Sequence, residues 1–161
     1  MRKLAFVPVL VMLCGTVAFS QDRAEVFGGY QYTRFNPGGV NFNGWNAALT
    51  AYPGGHWLGV TGDLSGVYRS GVKVHSFLFG PTLSPNHGGS LAPFVHALLG
   101  ATHVSDGGSD TAFGMALGGG LDLKVLPLIS VRAVQADYFM TRFGGETQNN
   151  ARISAGVVLH F

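Results

Sequence analysis

The stretch Ala151-Arg152-Ile153-Ser154-Ala155-Gly156-Val157-Val158-Leu159-His160-Phe161 constrains the fold more than any other part of the chain. Ile153, Ala155, Val157, Leu159 and Phe161 form one alternate set, and every member is apolar. Arg152, Ser154, Gly156, Val158 and His160 form the other, mostly polar or small. A period of two is the strand period, so the segment reads as a strand with one oily and one wetter face. Soluble sheets avoid an exposed apolar edge of this kind. The pattern is reasonable if the oily face meets lipid and the strand edge pairs with the first strand to close a barrel.

The rest of the chain carries the same rhythm. About eight strands are expected, roughly Glu25–Thr33, Gly44–Tyr52, Trp57–Tyr68, Lys73–Ser84, Ala92–Val104, Thr111–Val125, Ile129–Arg142 and Asn150–Phe161. Each is close to the ~9–11 residues with which a tilted strand crosses a bilayer. Turn chemistry separates them: Asn36-Pro37-Gly38-Gly39, Pro53-Gly54-Gly55, Ser70-Gly71, Pro85 to Gly89, Asp106-Gly107-Gly108, Leu126-Pro127 and Gly144-Gly145. Alternation is plain where Trp45, Ala47, Leu49 and Ala51 oppose Asn46, Ala48 and Thr50. It is equally plain where Phe113, Met115, Leu117, Leu121 and Leu123 oppose Gly114, Ala116, Gly118, Gly120, Asp122 and Lys124. In the seventh strand Arg132 falls on the apolar side, which a bulge or a position at the membrane edge would explain.

Composition decides which face is outside. The less apolar set is rich in Gly, Ala, Ser and Thr, and Lys73 and Lys124 are the only lysines after Lys3. A water-facing exterior should carry many long charged side chains, whereas small polar residues suit a narrow, crowded lumen. Aromatic residues gather near strand ends: Trp45, Tyr52, Trp57, Tyr68, Phe94, Tyr138, Phe143 and Phe161. They are expected to form interfacial girdles. The fold class is therefore all-β, an eight-stranded antiparallel up-and-down transmembrane β-barrel.

Residues 1–20 read as a cleaved secretory signal peptide. Arg2 and Lys3 precede an apolar run, and Ala18-Phe19-Ser20 supplies the small-x-small site. Residues 21–161 are the barrel domain. Cys14, the one cysteine, sits in the apolar run after Leu13, so neither lipidation nor a disulfide within the processed chain is expected. Loss of Arg2 and Lys3 takes the ten Lys and Arg to eight, equal to the eight Asp and Glu. A neutral chain with no basic run disfavours nucleic-acid binding.

The signal, the strand pattern, Phe79-Gly80-Pro81, Asp137-Tyr138 followed by Phe143-Gly144, and the closing Val157 to Phe161 resemble the small outer-membrane barrels of the outer membrane protein A-like superfamily. More closely, they resemble the members made of a signal and a barrel alone. The resemblance implies residence in the bacterial outer membrane, contact with its lipid, and insertion by the barrel-assembly machinery, which reads a last strand ending in Phe161. Larger relatives carry a peptidoglycan-binding domain; this chain is expected to end with the barrel and to act as a monomer.

Chemistry is sparse. Glu25, Asp63, Asp122, Lys124, Gln135, Asp137 and Arg152 are expected in the lumen, with His96 and His160 as further candidates. In a bore filled by side chains they must pair or stay hydrated, so a structural polar network is the plain reading and a proton or small-ion path the sharper one. His56, His75, His87, His96, His103 and His160 have no metal-ligand spacing, and no metal or cofactor is expected. His103, Ser105 and Asp106 cluster near one outward loop but lack a nucleophile motif, so no enzyme is expected. Gly118-Gly119-Gly120 lies within a strand and cannot be a phosphate loop. Three roles remain open: a structural barrel contributing to envelope integrity, with a narrow pore as its conducting form; an adhesion or interaction protein acting through Arg34–Asn43 and Ser105–Asp110; and, less favoured, a lipid-modifying enzyme at the rim.

Overall fold

The structure, a computed structural model, describes residues 24–36, 38–54 and 57–161, without the side chain of Phe143. The expected signal peptide, His56 and the phenyl ring of Phe143 lie outside what is described. Eight antiparallel strands follow one another around a closed barrel: β1 (Ala24–Phe35), β2 (Val40–Ala51), β3 (Leu58–Arg69), β4 (Val72–Leu83), β5 (Leu91–Ser105), β6 (Ser109–Leu126), β7 (Ile129–Phe143) and β8 (Glu146–His160). The seam is made by β1 against β8, in register from Glu25 opposite His160 to Arg34 opposite Ala151. Beyond β8 the backbone pairing continues, because Ala24 and Phe161 exchange both N–H···O bonds, at 3.2 and 2.8 Å. Closure leaves no strand edge, and so satisfies the one condition a sheet must meet inside lipid.

The strands run further than the sequence pattern suggested. β2 begins at Val40 rather than Gly44, and β8 at Glu146 rather than Asn150. The connections at that end shrink accordingly, to Ser70-Gly71, Gly144-Gly145, residues 106–108 and residues 36–39. The physical reason is that each antiparallel neighbour supplies partners for backbone N–H and C=O until a left-handed residue reverses the chain. Ser70 and Gly71 have φ of 45° and 90°, and Gly144 and Gly145 have 55° and 94°. Two successive positive φ values are what a two-residue hairpin turn needs to match strand twist.

Outside and inside separate by parity. Leu49, Leu64, Phe77, Val95, Leu117, Ile153 and Val157 are exposed on the outer wall, while Asn46, Asp63, Thr102, Gln135 and Arg152 are buried in the bore. A closed barrel greasy outside and polar inside is the inverse of a soluble barrel and suits a hydrocarbon solvent. Trp45, Trp57, Tyr68, Tyr138 and Phe161 all lie on the exposed outer wall. Trp45 Nε1 donates to Tyr68 Oη at 3.1 Å, and the Tyr138 hydroxyl donates to Asn149, so the polar tips are satisfied toward the barrel ends.

Two aromatic residues expected in that girdle point the other way. Tyr52 and Phe94 are buried inside the bore, 2 % and 6 % exposed. Tyr52 follows β2 on lumen parity, and its ring stacks on His87 at 4.1 Å between centroids, where it wedges the inward mouth, the end of the barrel that carries Ala24 and Phe161. Phe94 has room because Gly120 faces it; a Cβ at Gly120 would lie 2.8 Å from the Phe94 ring.

Candidate functional site: the filled bore

The lumen is filled in layers, and the central layer is a continuous chain of charged and amide side chains. Asn46 Nδ2 donates to Asp63 Oδ2 at 2.8 Å. Arg152 Nη1 donates to Asp63 Oδ1 at 2.9 Å, and its Nε donates to Asp137 Oδ2 at 2.7 Å. Gln135 Nε2 donates to the same Asp137 oxygen at 2.9 Å, and His96 Nε2 lies 2.8 Å from Asp137 Oδ1. Arg132 Nη1 then donates to Gln135 Oε1 at 2.8 Å, while Nε and Nη2 grip both Asp122 oxygens at 2.7 and 2.9 Å. The chain joins β2, β3, β5, β6, β7 and β8, so it braces the cylinder across its axis rather than along one wall.

Every link is buried, which makes the pairing obligatory. Arg152 and Asp63 are each 1 % exposed. A lone charge in such a place costs several kcal/mol, and the cost is offset only when geometry and hydrogen bonding are complete. Two guanidinium groups serve three carboxylates here, and planar forks suit that task better than ammonium groups. Arg132 is also sandwiched between the Phe27 and Phe94 rings, 4.4 and 4.1 Å from its Cζ.

Arg132 is the residue that alternation misplaced. The pairing of β7 slips between Arg132 and Gln135 against β8, and between Leu121 and Asp122 against β6. This bulge adds a residue, flips parity and turns Arg132 from the lipid side into the bore. A charge facing hydrocarbon is costly enough that inward rotation could have been inferred from its identity alone.

The other expected lumen residues occupy the ends. Glu25 is buried at the inward end, where Tyr52 Oη donates to its Oε2 at 3.4 Å and His160 Nδ1 lies 3.4 Å from its Oε1. His160 Nε2 lies 2.7 Å from Ser130 Oγ. Lys124 is only half-buried and donates to the Gly88 carbonyl at 2.8 Å, so it ties β6 to the β4–β5 turn and stands apart from the central chain. His103 sits between Thr111 Oγ1 at 2.9 Å and Ser109 Oγ at 3.2 Å, rather than between Ser105 and Asp106. No group of three potential metal ligands occurs among the described residues.

Sequence reading did not find the second layer. Leu78, Leu98, Ala116 and Phe139 form a dry cluster inside the bore, outward of the charged chain, with Phe35 packed against it. Leu78 hides between Phe77 and Phe79, and Leu98 beside Leu99, so unbroken apolar runs conceal which residue points inward. Inward of the cluster, the cavity beside Asp63, Arg132 and Gln135 measures about 10 Å³, the space of about one water.

Glycine makes the layers fit. A Cβ on Gly118 would collide with the Asp137 carboxylate and the Ala136 carbonyl, whereas one on Gly62 would meet nothing within 4 Å. Gly118→Leu is therefore expected to cost about 3 kcal/mol or more by overpacking, and Gly62→Leu on the lipid side almost nothing. Urea titration of both variants refolded in lipid vesicles checks this; equal stability would mean that the bore has slack at Asp137.

Comparison with solved structures agrees with the geometry. Neisserial surface protein A superposes with a TM-score of 0.67 at 13 % identity, covering 86 % of this chain and 96 % of that one. The chain has the fold of a small outer-membrane β-barrel. The N-terminal β-barrel domain of Pseudomonas aeruginosa OprF gives 0.60 at 11 % identity, over 88 % of this chain and all of that one. The attachment invasion locus protein Ail of Yersinia pestis gives 0.58 at 19 % identity, over 87 % of this chain and 100 % of that one. No protein-family model and no curated protein matches the sequence. A barrel with this exterior, strand count and closure resides in the bacterial outer membrane.

Proposed function

We propose that this barrel serves the outer membrane as a closed structural element and does not conduct ions. One observation carries the reading: the bore is blocked twice in series, by the dry Leu78–Leu98–Phe139 layer and by the charged chain through Arg152. An ion crossing it would have to enter an apolar constriction and then displace a buried ion-pair network. The short outward turns favour this over an adhesion role, because they offer little platform beyond the barrel rim. Insertion would be directed by β8 and Phe161, recognised by the barrel-assembly machinery, with outer-membrane lipid as the surrounding partner and the monomer as the working unit.

The test is conductance. Protein purified in detergent and added to planar bilayers is expected to give no resolved steps, while Leu78→Ala combined with Leu98→Ala and Arg152→Ala opens measurable ones. Regular unitary steps from the unaltered barrel would sink the structural reading and favour the narrow pore.

A further inference from the structure

The outward end of the bore is built differently from the rest. Deeper in the bore, beneath the Leu78–Leu98–Phe139 layer, lumen positions hold Thr, Ser, Asp, Asn and Arg; at the mouth the lining is Phe35, Val40, Phe42, Val72, Val74 and Val104, with Gln148 beside them. Phe42, Val67 and Val74 are buried against one another, and Phe35, Val40, Val72 and Val104 pack half-buried around them. They enclose an open cup of about 390 Å³, within the size range of small-molecule sites. The floor is closed, since Phe35 also packs on the Leu78–Leu98–Phe139 layer. The polarity is inverted for its place, because this is the part of the lumen that opens toward water.

Charge among the residues that line the cup has one sign. Asp106 and Asp110 line it and are exposed, and they are the charged groups among its lining residues. Of the cations at this end, Arg34, Lys73 and Arg142 share strand parity with the lipid-facing residues Tyr32, His75 and Met140, whereas Arg69 ends β3 on the lumen parity of Val67 but is exposed and is not among the residues that line the cup. An apolar bowl with carboxylates on its lip complements a molecule with an apolar body and a positive end.

We propose that the outward mouth of the barrel is a binding site for a small amphipathic cation, an aromatic or alkyl amine, whose apolar body enters the valine and phenylalanine cup and whose ammonium group meets Asp106 and Asp110. Binding there does not require transport, because the floor is closed.

The experiment uses the refolded barrel in lipid nanodiscs with valine methyl groups labelled for NMR. The probes are three molecules of matched body: naphthylmethylammonium, naphthylmethanol and naphthylacetate. Saturable shifts of the Val40, Val72, Val74 and Val104 methyls are expected, tightest for the cation. Asp106→Asn with Asp110→Asn, both on the exposed lip, weakens the cation roughly fivefold and leaves the alcohol unchanged. Val104→Trp, which fills the cup from a half-exposed position, abolishes the shifts with every probe while the heat-modified gel mobility of the folded barrel persists. The proposal is overturned if no probe shifts these methyls saturably, if the three probes bind alike, or if lipid acyl protons already contact the cup methyls before any probe is added.

Discussion

Arg152→Ala is expected to lower the stability of the folded barrel by about 3–5 kcal/mol, the range for stripping one partner from a buried ion pair. The loss comes from what remains. Asp63 and Asp137 are buried and would lose the guanidinium that now meets both, at 2.9 and 2.7 Å. Asn46 and Gln135 would still donate to them, yet neutral amides do not balance two carboxylates. The check is a urea titration in lipid vesicles, read by the gel mobility shift of the unheated barrel. Arg152→Met together with Asp63→Asn and Asp137→Asn should regain most of the loss, because the desolvated charges vanish together. A single Arg152→Ala variant within about 1 kcal/mol of the parent would show that water reaches the network and that the bore is open at its centre.

Leu117→Arg tests the outer wall in the same way. Leu117 is 44 % exposed and stands between Ala97 and Tyr138 on neighbouring strands, near the middle of β6. Arginine on the lipid face costs about 2–4 kcal/mol at the bilayer midplane. In contrast, Ala48→Ser faces the polar bore beside Thr50, Thr61 and Asp63 and should stay within about 1 kcal/mol. Comparable tolerance of both substitutions would contradict a lipid-bathed exterior, whereas comparable failure would point to a bore too tight for a hydroxyl.

Much of the fold was legible because a barrel in lipid has to alternate. Each strand shows hydrocarbon one face and the lumen the other, so Leu117 and Asp122 declare their sides without any tertiary knowledge. The candidate site was legible in membership but not in wiring. Asp63 and Arg152 are 89 residues apart, and no local signal says which of the lumen carboxylates a given arginine will meet. Lys124 shows the same limit: its parity is that of the lumen, but its height along the barrel leaves it at the β4–β5 turn.

What the sequence alone determined was the solvent. Periodicity of two, sparse lysine and small polar residues on the wetter face require an apolar exterior around closed strands, because backbone groups in hydrocarbon must all be paired. Only the closed tertiary structure decided what fills the middle. The Leu78–Leu98–Phe139 layer and the wiring of Arg152 to Asp63 and Asp137 depend on which strands lie across the axis from one another. That juxtaposition is set by register and closure, which couple residues far apart in the chain and leave no trace in any short window of it.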